Sequence, residues 1–150
     1  MGYIMELRKV VGTKPLIMAG SCVLVFNSAG HLLLQRRTDS LDWGTIGGAL
    51  EPGESLEEAA ERELYEEAGL SAKSFKFITV LSGKEMYYKY PHGDEVYNVM
   101  AIYEAKDVKG QPTINDDEGL GLLYFSLAEP IPNLNPFTEL VLRKAGYILW

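Results

Sequence analysis

The 150-residue sequence is poor in several reactive residue types, with one cysteine, two histidines and a deficit of basic side chains. Cys22 alone cannot form an internal disulfide, and its position in an apolar strand pattern predicts a buried thiol. The 14 basic and 21 acidic side chains give a net charge of −7, which argues against an electrostatic surface for a nucleic-acid duplex. An anionic substrate would therefore need a cation to screen it.

Long apolar runs are also missing. The longest apolar stretch, Leu16 to Phe26, is interrupted by Gly20 and Ser21 and is too short to span a bilayer. No targeting segment is recognisable, and Glu6 stands where an acylation signal would require Ser or Thr. We therefore expect a cytoplasmic protein without a membrane partner.

No repeat, low-complexity segment or long linker interrupts the chain, so we expect a single domain over residues 1–150. Strands are predicted over residues 16–27, 31–37, 43–46, 75–82, 85–90, 95–103 and 122–125, the first two forming a hairpin around a turn at 28–30. A final helix is predicted to begin with Asn135 as N-cap and Pro136 at its first position. Mixed strands with two helices predict an α/β (α+β) fold, in which a mixed sheet lies between helical layers.

The other predicted helix covers residues 56–68. Ser55 is a suitable N-cap, Glu58 three residues later completes a capping box, and Gly69 supplies a C-terminal stop. An amphipathic helix normally turns its charges away from its apolar sector. The acidic side chains at positions 57, 58 and 61 fit that rule and are expected to be solvated.

Three other carboxylates of this helix, those of Glu63, Glu66 and Glu67, are predicted to lie inside or beside its apolar sector. Carboxylates about 6 Å apart repel by roughly 3 kcal/mol per pair at an effective dielectric of about 20, and burial adds a desolvation cost. A cation is therefore expected among them. Oxygen ligands without His or Cys favour Mg²⁺, Mn²⁺ or Ca²⁺, and Mg²⁺ usually brings substrate phosphates with it.

The spacing of these residues resembles the complete Nudix box. Gly48 is followed after five residues by Glu54, after seven more by Arg62-Glu63-Leu64, and then by Glu66-Glu67 and Gly69-Leu70. Seven of these positions require one residue type, so a chance match is on the order of 10⁻⁹ per starting position. The resemblance implies a Nudix-type α/β/α sandwich. It also implies Mg²⁺-dependent hydrolysis of a pyrophosphate bond in a nucleoside diphosphate linked to another moiety, with Mn²⁺ as a substitute metal.

The resemblance further implies that Glu63, Glu66, Glu67 and the backbone oxygen of Gly48 hold the metal. Arg62 is expected to fork onto neighbouring carboxylates and fix their rotamers. Many relatives have proline just before the glycine pair, where this chain has Ile46. This departure leaves the proposed ligands intact and affects only the rigidity of the loop.

One carboxylate must accept the proton of the attacking water. Which one does so varies within the family, and a later acidic loop sometimes supplies it. Asp116-Asp117-Glu118 is the only such cluster after the box, and Glu118 is the favoured member, although a polar surface loop would look the same. Glu63 is the next candidate for this role.

Substrate-binding residues are less well specified. Arg36 and Arg37 end a predicted strand, where they could clamp phosphates or simply face solvent. Trp43 and Tyr88 could stack on a base, as could Tyr87, Tyr90 and Tyr97, but aromatic side chains in strands usually pack. His92 is interpreted as a turn residue. The substrate stays open among dinucleoside polyphosphates, ADP-ribose, nucleoside triphosphates and sugar nucleotides.

A different class of function is a Nudix-like module that binds or senses a nucleotide without cleaving it. Such a module would be expected to have lost box glutamates, because mutually repelling carboxylates are costly without a metal to hold. All of them are present, which favours the enzyme. The expected partner is a small-molecule nucleotide. A homodimer is compatible with the sequence, which specifies neither the oligomeric state nor the number of metal ions.

Overall fold

A computed structural model describes residues 2–114 and 119–150. Three helices are present in these ranges, α1 (Tyr3–Val11), α2 (Leu56–Ala68) and α3 (Pro136–Lys144), together with a 3₁₀ turn at Lys84–Met86. The strands are β1 (Leu16–Leu24), β2 (Leu32–Arg37), β3 (Trp43–Gly44), β4 (Ile46–Ala49), β5 (Ser71–Leu81), β6 (Tyr87–Lys89), β7 (Glu95–Lys109) and β8 (Gly119–Phe125). None of the helices in the described ranges has the length and apolar character needed to cross a membrane.

The strands form two sheets. The larger has the order β4-β1-β7-β5, with β6 also paired to β7. Strands β1 and β7 run parallel and the other pairs of this sheet run antiparallel. The smaller sheet is antiparallel, with the order β3-β2-β8. A mixed sheet with helices on its faces confirms the predicted α/β (α+β) fold.

Apolar side chains fill both faces of the larger sheet. On one face, Ala60 and Leu64 of α2 pack in a cluster with Val23 of β1. On the other face, Ile102 of β7 packs in a cluster that includes Leu142 of α3. Helix α2 therefore lies on the opposite side of the sheet from α3, and β4 forms the sheet edge nearest to the residues that precede α2.

The predicted hairpin of residues 16–27 and 31–37 is wrong beyond its turn. The turn forms, because the backbone N–H of Asn27 donates to the carbonyl of His31 at 3.0 Å, and Phe26 bridges Leu32. Strand β2 then leaves β1 and pairs with β3 and β8. Residues 32–35 of β2 are fully buried, and a strand buried on both faces needs the cover of a second layer, which a two-stranded hairpin does not provide.

Helix α1 was not predicted from the sequence. Its N-cap, Gly2, makes no side-chain capping bond and none of its residues is fully buried, but Ile4, Leu7 and Val11 recur at helical spacing on its half-buried face, a signal that was missed. The Arg8 guanidinium stabilises its position by donating to the carbonyls of Gly12 at 2.9 Å, Lys14 at 2.5 Å and Glu95 at 2.5 Å. Two strand predictions also differ from the structure, since residues 84–86 form a 3₁₀ turn before β6, and β7 continues to residue 109.

The local signals for α2 and α3 are confirmed. The Ser55 hydroxyl accepts from the backbone N–H of Glu58 at 3.0 Å, and the Glu58 carboxylate accepts from the N–H of Ser55 at 3.0 Å. Gly69 ends the helix in the left-handed region at φ 66°. In α3, the Asn135 side chain caps the first turn and Pro136 follows at the first helical position.

Candidate active site

Helix α2 presents two of its three predicted ligands to the interior. Glu63 is 8% exposed and Glu67 is 1% exposed, whereas the Glu66 side chain is 49% exposed at the rim. The apolar sector of the helix therefore contains two carboxylates, with the third beside it. Their helix packs against β4 and β1, which places the carboxylates next to the loop of Gly47 and Gly48.

Glu67 is fixed by hydrogen bonds to both of its oxygens. Its Oε1 accepts from Gln35 Nε2 at 2.5 Å, and its Oε2 accepts from the backbone N–H of Gly47 at 2.9 Å. Burial, and then the charge of Glu63, raise the pKa of Glu67 well above its usual value. Burial likewise raises the pKa of Glu63, which is hydrogen-bonded to Glu67. Two buried carboxylates in contact favour a shared proton or a cation.

Gln35 is a site residue that the sequence analysis missed. It is 1% exposed in β2, and it reaches α2 from the smaller sheet. The available signal was a single amide that follows three leucines in an otherwise apolar strand. Its Oε1 is buried without a hydrogen-bond partner among the described residues, so its amide is satisfied only through the bond to Glu67.

Arg62 bridges the carboxylates, as predicted. Its Nε and Nη2 donate to Glu54 at 2.7 and 2.9 Å, and its Nη1 donates to Glu63 at 2.7 Å and to Glu66 at 3.2 Å. Nη2 also donates to the carbonyl of Ala49 at 3.0 Å. The Arg62 hydrogen bond is the main cause of the lowered pKa of Glu54. One guanidinium thus ties the start of α2, the rim carboxylate and the edge of β4 together.

Gly48 lies so close to Glu63 that a side chain at this position would displace the Glu63 carboxylate. A Cβ added at Gly48 would be 2.6 Å from Glu63 Oε1, and a Cβ added at Gly20 would be 2.4 Å from the Gly48 carbonyl oxygen. The α-carbon of Gly48 therefore faces the carboxylates, while its carbonyl oxygen lies over β1. The role of that oxygen as a metal ligand stays a prediction.

Across residues 2–114 and 119–150, no three His, Cys, Asp or Glu side chains converge in an arrangement ready for a metal ion. Arg62 holds the Glu66 carboxylate at the rim and one oxygen of Glu63. The donor chemistry still fits Mg²⁺, because two buried carboxylates in contact supply hard oxygen ligands and carry a charge that nothing else compensates fully. Completing the set would require Glu66 to turn away from Arg62.

A cavity of about 560 Å³ extends from this carboxylate cluster. Glu63, Gly47 and Gly48 line one end, and the far end is lined by aromatic side chains. Tyr88 packs edge-on against Tyr90, with ring centroids 4.9 Å apart, and lies 5.7 Å from Phe137. His92 stacks on Tyr90 at 5.4 Å. The cavity thus joins an anionic end to an aromatic end.

The structure separates the predicted substrate residues into two groups. Arg37 and Tyr88 line the cavity, and Arg37 is held by Asp39 through two hydrogen bonds of 2.9 and 3.0 Å. Arg36 is exposed and donates to the Leu41 carbonyl at 3.2 Å. Trp43 packs on Phe125 in the core, with ring centroids 5.0 Å apart. Neither Arg36 nor Trp43 lines the cavity, and their predicted roles stay without structural support.

Other predicted or missed residues have clear positions. His92 lies in a turn with an exposed side chain, as predicted, and borders the cavity next to Tyr90. Tyr87 and Tyr97 pair with each other outside the cavity. The cluster Asp116-Asp117-Glu118, which includes the proposed proton acceptor, lies outside the described residues. Asn98 of β7 lines the cavity and was missed, because in sequence it is one polar residue in a strand.

Comparison with known proteins identifies the family. A family model described as NUDIX domain matches residues 17–145, most of the chain. The chain belongs to the Nudix family. Among solved structures, a MutT NUDIX hydrolase from Burkholderia pseudomallei aligns with a TM-score of 0.70 at 24% identity, covering 85% of this chain and 96% of that one. At that identity the alignment shows the shared fold.

Relatives in sequence have names that describe nucleotide chemistry. A Bacillus subtilis protein named "Putative 8-oxo-dGTP diphosphatase" is 34% identical over 107 residues, which are 71% of this chain and 65% of that protein. An NAD-capped RNA hydrolase NudC from Haemophilus influenzae is 32% identical over 100 residues, 67% of this chain and 34% of that protein. The matches therefore span less than two thirds of these relatives.

Proposed function

We propose that this protein is a metal-dependent hydrolase of small nucleotides that cleaves a pyrophosphate bond. The observation that carries the proposal is the continuity of the cavity with the carboxylate cluster, because Glu63 and Gly48 belong to both. A nucleotide with its base at the aromatic end would have its diphosphate beside the carboxylates. Family membership and the named activities of the relatives support this assignment.

The proposal assigns a role to the metal-binding side chains, to the residues that hold them and to one arginine of the cavity. Glu63, Glu66 and Glu67, with the Gly48 backbone, would hold Mg²⁺, and Mn²⁺ would substitute. The bound metal would neutralise phosphate charge and make water a better nucleophile. Gln35 and the Gly47 N–H hold Glu67, and Arg62 holds Glu63, so these two ligands are fixed before substrate arrives, whereas Glu66 would turn from Arg62 to the metal. Arg37, in the cavity wall, would contact a phosphate.

The proton of the attacking water needs an acceptor near this cluster. We assign that role to Glu118, because Glu63 and Glu67 are already committed. Glu63 accepts from Arg62 at 2.7 Å, and both oxygens of Glu67 accept hydrogen bonds. A carboxylate that does not also hold the metal can take that proton, and Glu118 belongs to the acidic cluster that follows the box in sequence.

The function is tested by incubating the purified protein with Mg²⁺ and a panel of nucleoside diphosphate derivatives in ¹⁸O-labelled water. No protein nucleophile is assigned, so water should attack phosphorus directly. We expect a nucleoside monophosphate and a phosphorylated second product, with one label on only one of them. Release of inorganic phosphate from simple monoesters, or a trapped phospho-enzyme, would contradict this mechanism. Tight binding without turnover would instead favour the sensor module.

A second expectation concerns metal binding itself. A ligand that binds only the folded state at about 100 times its Kd stabilises that state by about 2.7 kcal/mol, which for a domain of this size raises Tm by roughly 5 to 10 °C. Mg²⁺ or Mn²⁺ should produce such a shift in thermal unfolding, and a chelator should reverse it. Glu66→Gln should reduce the shift, whereas the matched change Glu61→Gln, on the exposed face of α2, should not. Equal Tm values with and without metal would count against the site.

A further inference from the structure

Asn98 is a buried amide on the apolar floor of the cavity. It lies near the start of β7, opposite Met18 of β1, and is 4% exposed. Its neighbours on the same face of β7 are Val96 and Met100, which also line the cavity. Apolar residues would fill these positions more cheaply than an amide, because a buried polar group is costly unless it is hydrogen-bonded.

Within the described residues, only one polar group of the Asn98 amide has a hydrogen-bond partner. Asn98 Nδ2 donates to the carbonyl of Met86 at 3.2 Å. No other side-chain hydrogen bond of Asn98 is found among the described residues, and Oδ1 is not one of their fully buried unpaired atoms, so it is open to the cavity. One N–H of the amide is accounted for, because it holds the 3₁₀ turn at Met86. One acceptor and one donor then remain at a part of the cavity wall that is otherwise apolar, where a ligand can pair with them.

An aromatic ring lies one row away on the same face. Tyr88 of β6 pairs with Val96, two residues along β7 from Asn98, so the two side chains are about 7 Å apart along the strands. Phe137 lies 5.7 Å from Tyr88 on the α3 side. A flat ring stacked on Tyr88 would present its edge to the Asn98 amide.

The distance to the carboxylate cluster suits a nucleotide. Gly48 pairs with Ser21 of β1, three residues along and two strands across from Asn98. Strand geometry then separates their α-carbons by roughly 14 Å, and the two positions face opposite sides of the sheet, so the cavity joins them around its β4 edge. A ligand held at both places must carry a planar, hydrogen-bonding ring at one end and phosphate at the other, as a nucleoside diphosphate derivative does.

We propose that Asn98 selects adenine, so that the substrates of the proposed hydrolase are adenine nucleotides. The exocyclic amino group of adenine would donate to Oδ1, and the free amide N–H would donate to an adjacent ring nitrogen, the pairing that Asn commonly makes with this base. Guanine is disfavoured because its amino group is at C2 instead of C6 and would face Met18, Val96 or Met100, which offer no acceptor. Pyrimidines present less surface for stacking on Tyr88. This inference rests on the proposed nucleotide site and adds its base specificity.

The test is equilibrium binding of nucleoside monophosphates, measured by calorimetry on the intact chain with Mg²⁺. AMP should bind more tightly than GMP, 8-oxo-GMP, CMP or UMP by about 10-fold or more. Asn98→Leu should weaken AMP binding by about 5- to 150-fold and leave the others nearly unchanged. Tyr88→Ala should weaken all of them, and Gln111→Leu, at an exposed amide, should weaken none. Tighter binding of another base, or equal binding of all, would overturn the proposal.

Two further measurements keep the test independent of the folding of one variant. Purine riboside 5′-monophosphate lacks the amino group of AMP but keeps the ring nitrogen, so the unchanged protein should bind it more weakly than AMP. Asn98→Asp has two acceptors and no donor, and should shift the preference from AMP towards GMP. Equal binding of AMP and the purine analogue would refute the contact. Base-selective binding without hydrolysis would contradict the proposed enzyme activity but support adenine selection by Asn98. Hydrolysis without base selectivity would support the enzyme activity but contradict adenine selection.

Discussion

Glu67→Gln should reduce kcat/KM by about 10³-fold or more while leaving the protein folded. The Glu67 carboxylate is the most deeply buried of the box, with its two oxygens held by Gln35 and Gly47. Removing its charge weakens metal binding, and metal stabilisation of phosphoryl charge is worth several kcal/mol of transition-state energy, about 10³-fold in rate. Steady-state kinetics on the substrate found in the panel would measure this loss.

The same change should not lower the metal-free stability. An amide can still accept from the Gly47 N–H, and its NH₂ group, which would face Gln35 Nε2, can donate to Gln35 Oε1 once the Gln35 amide turns over. The substitution also removes a buried charge that repels Glu63. Thermal unfolding with a chelator should give an equal or higher Tm, and the Mg²⁺-dependent rise in Tm should disappear. A large loss of metal-free Tm would mean that Glu67 is mainly structural.

Glu61→Gln is the matched control, since it makes the same chemical change on the exposed face of the same helix. It should leave kcat/KM and the Mg²⁺ response close to those of the unchanged protein. A comparable loss of activity in both variants would show that the effect comes from altered helix charge. The contrast between the two positions therefore isolates the inward-facing carboxylate.

How much of this site can be predicted from the sequence depends on how far apart in the chain the interacting residues lie. The caps of α2 were predicted because Ser55, Glu58 and Gly69 act on their own turns of helix. The inward position of Glu63 and Glu67 follows from helical periodicity. Both are local properties of about fifteen residues, and the family resemblance of the box rests on the same segment.

Interactions between segments that are distant in the chain were not predicted from the sequence. Gln35 supports Glu67 across 32 positions in the chain, and only the pairing of β2 in the smaller sheet brings it there. The turn at 28–30 is the same whether β2 returns to β1 or leaves it, so a local signal could not decide the pairing. The place of Asn98 in a cavity could likewise not be predicted, because residues of β6 and α3, distant in the chain, form the rest of the cavity wall. Trp43 shows the converse, since an aromatic side chain suited to stacking packs in the core.

Glu118→Gln should lower kcat by two or more orders of magnitude, the usual scale for loss of a general base. Glu118 is the favoured proton acceptor because the box carboxylates are occupied, Glu63 by Arg62 and Glu67 by Gln35 and Gly47. The amide cannot accept the proton of the attacking water. Single-turnover kinetics would report the chemical step directly, and the limb of the pH–rate profile due to this base should vanish.

Measuring metal binding by Glu118→Gln shows whether Glu118 acts as a general base or as a metal ligand. If Glu118 only accepts a proton, the rise in Tm with Mg²⁺ should match that of the unchanged protein, whereas loss of a ligand would reduce both the rise and the activity. Asp117→Asn makes the same charge change at the preceding residue and should retain most of the activity. Full activity of Glu118→Gln would return the role to the box. Glu63, which lines the cavity, would then be the next candidate.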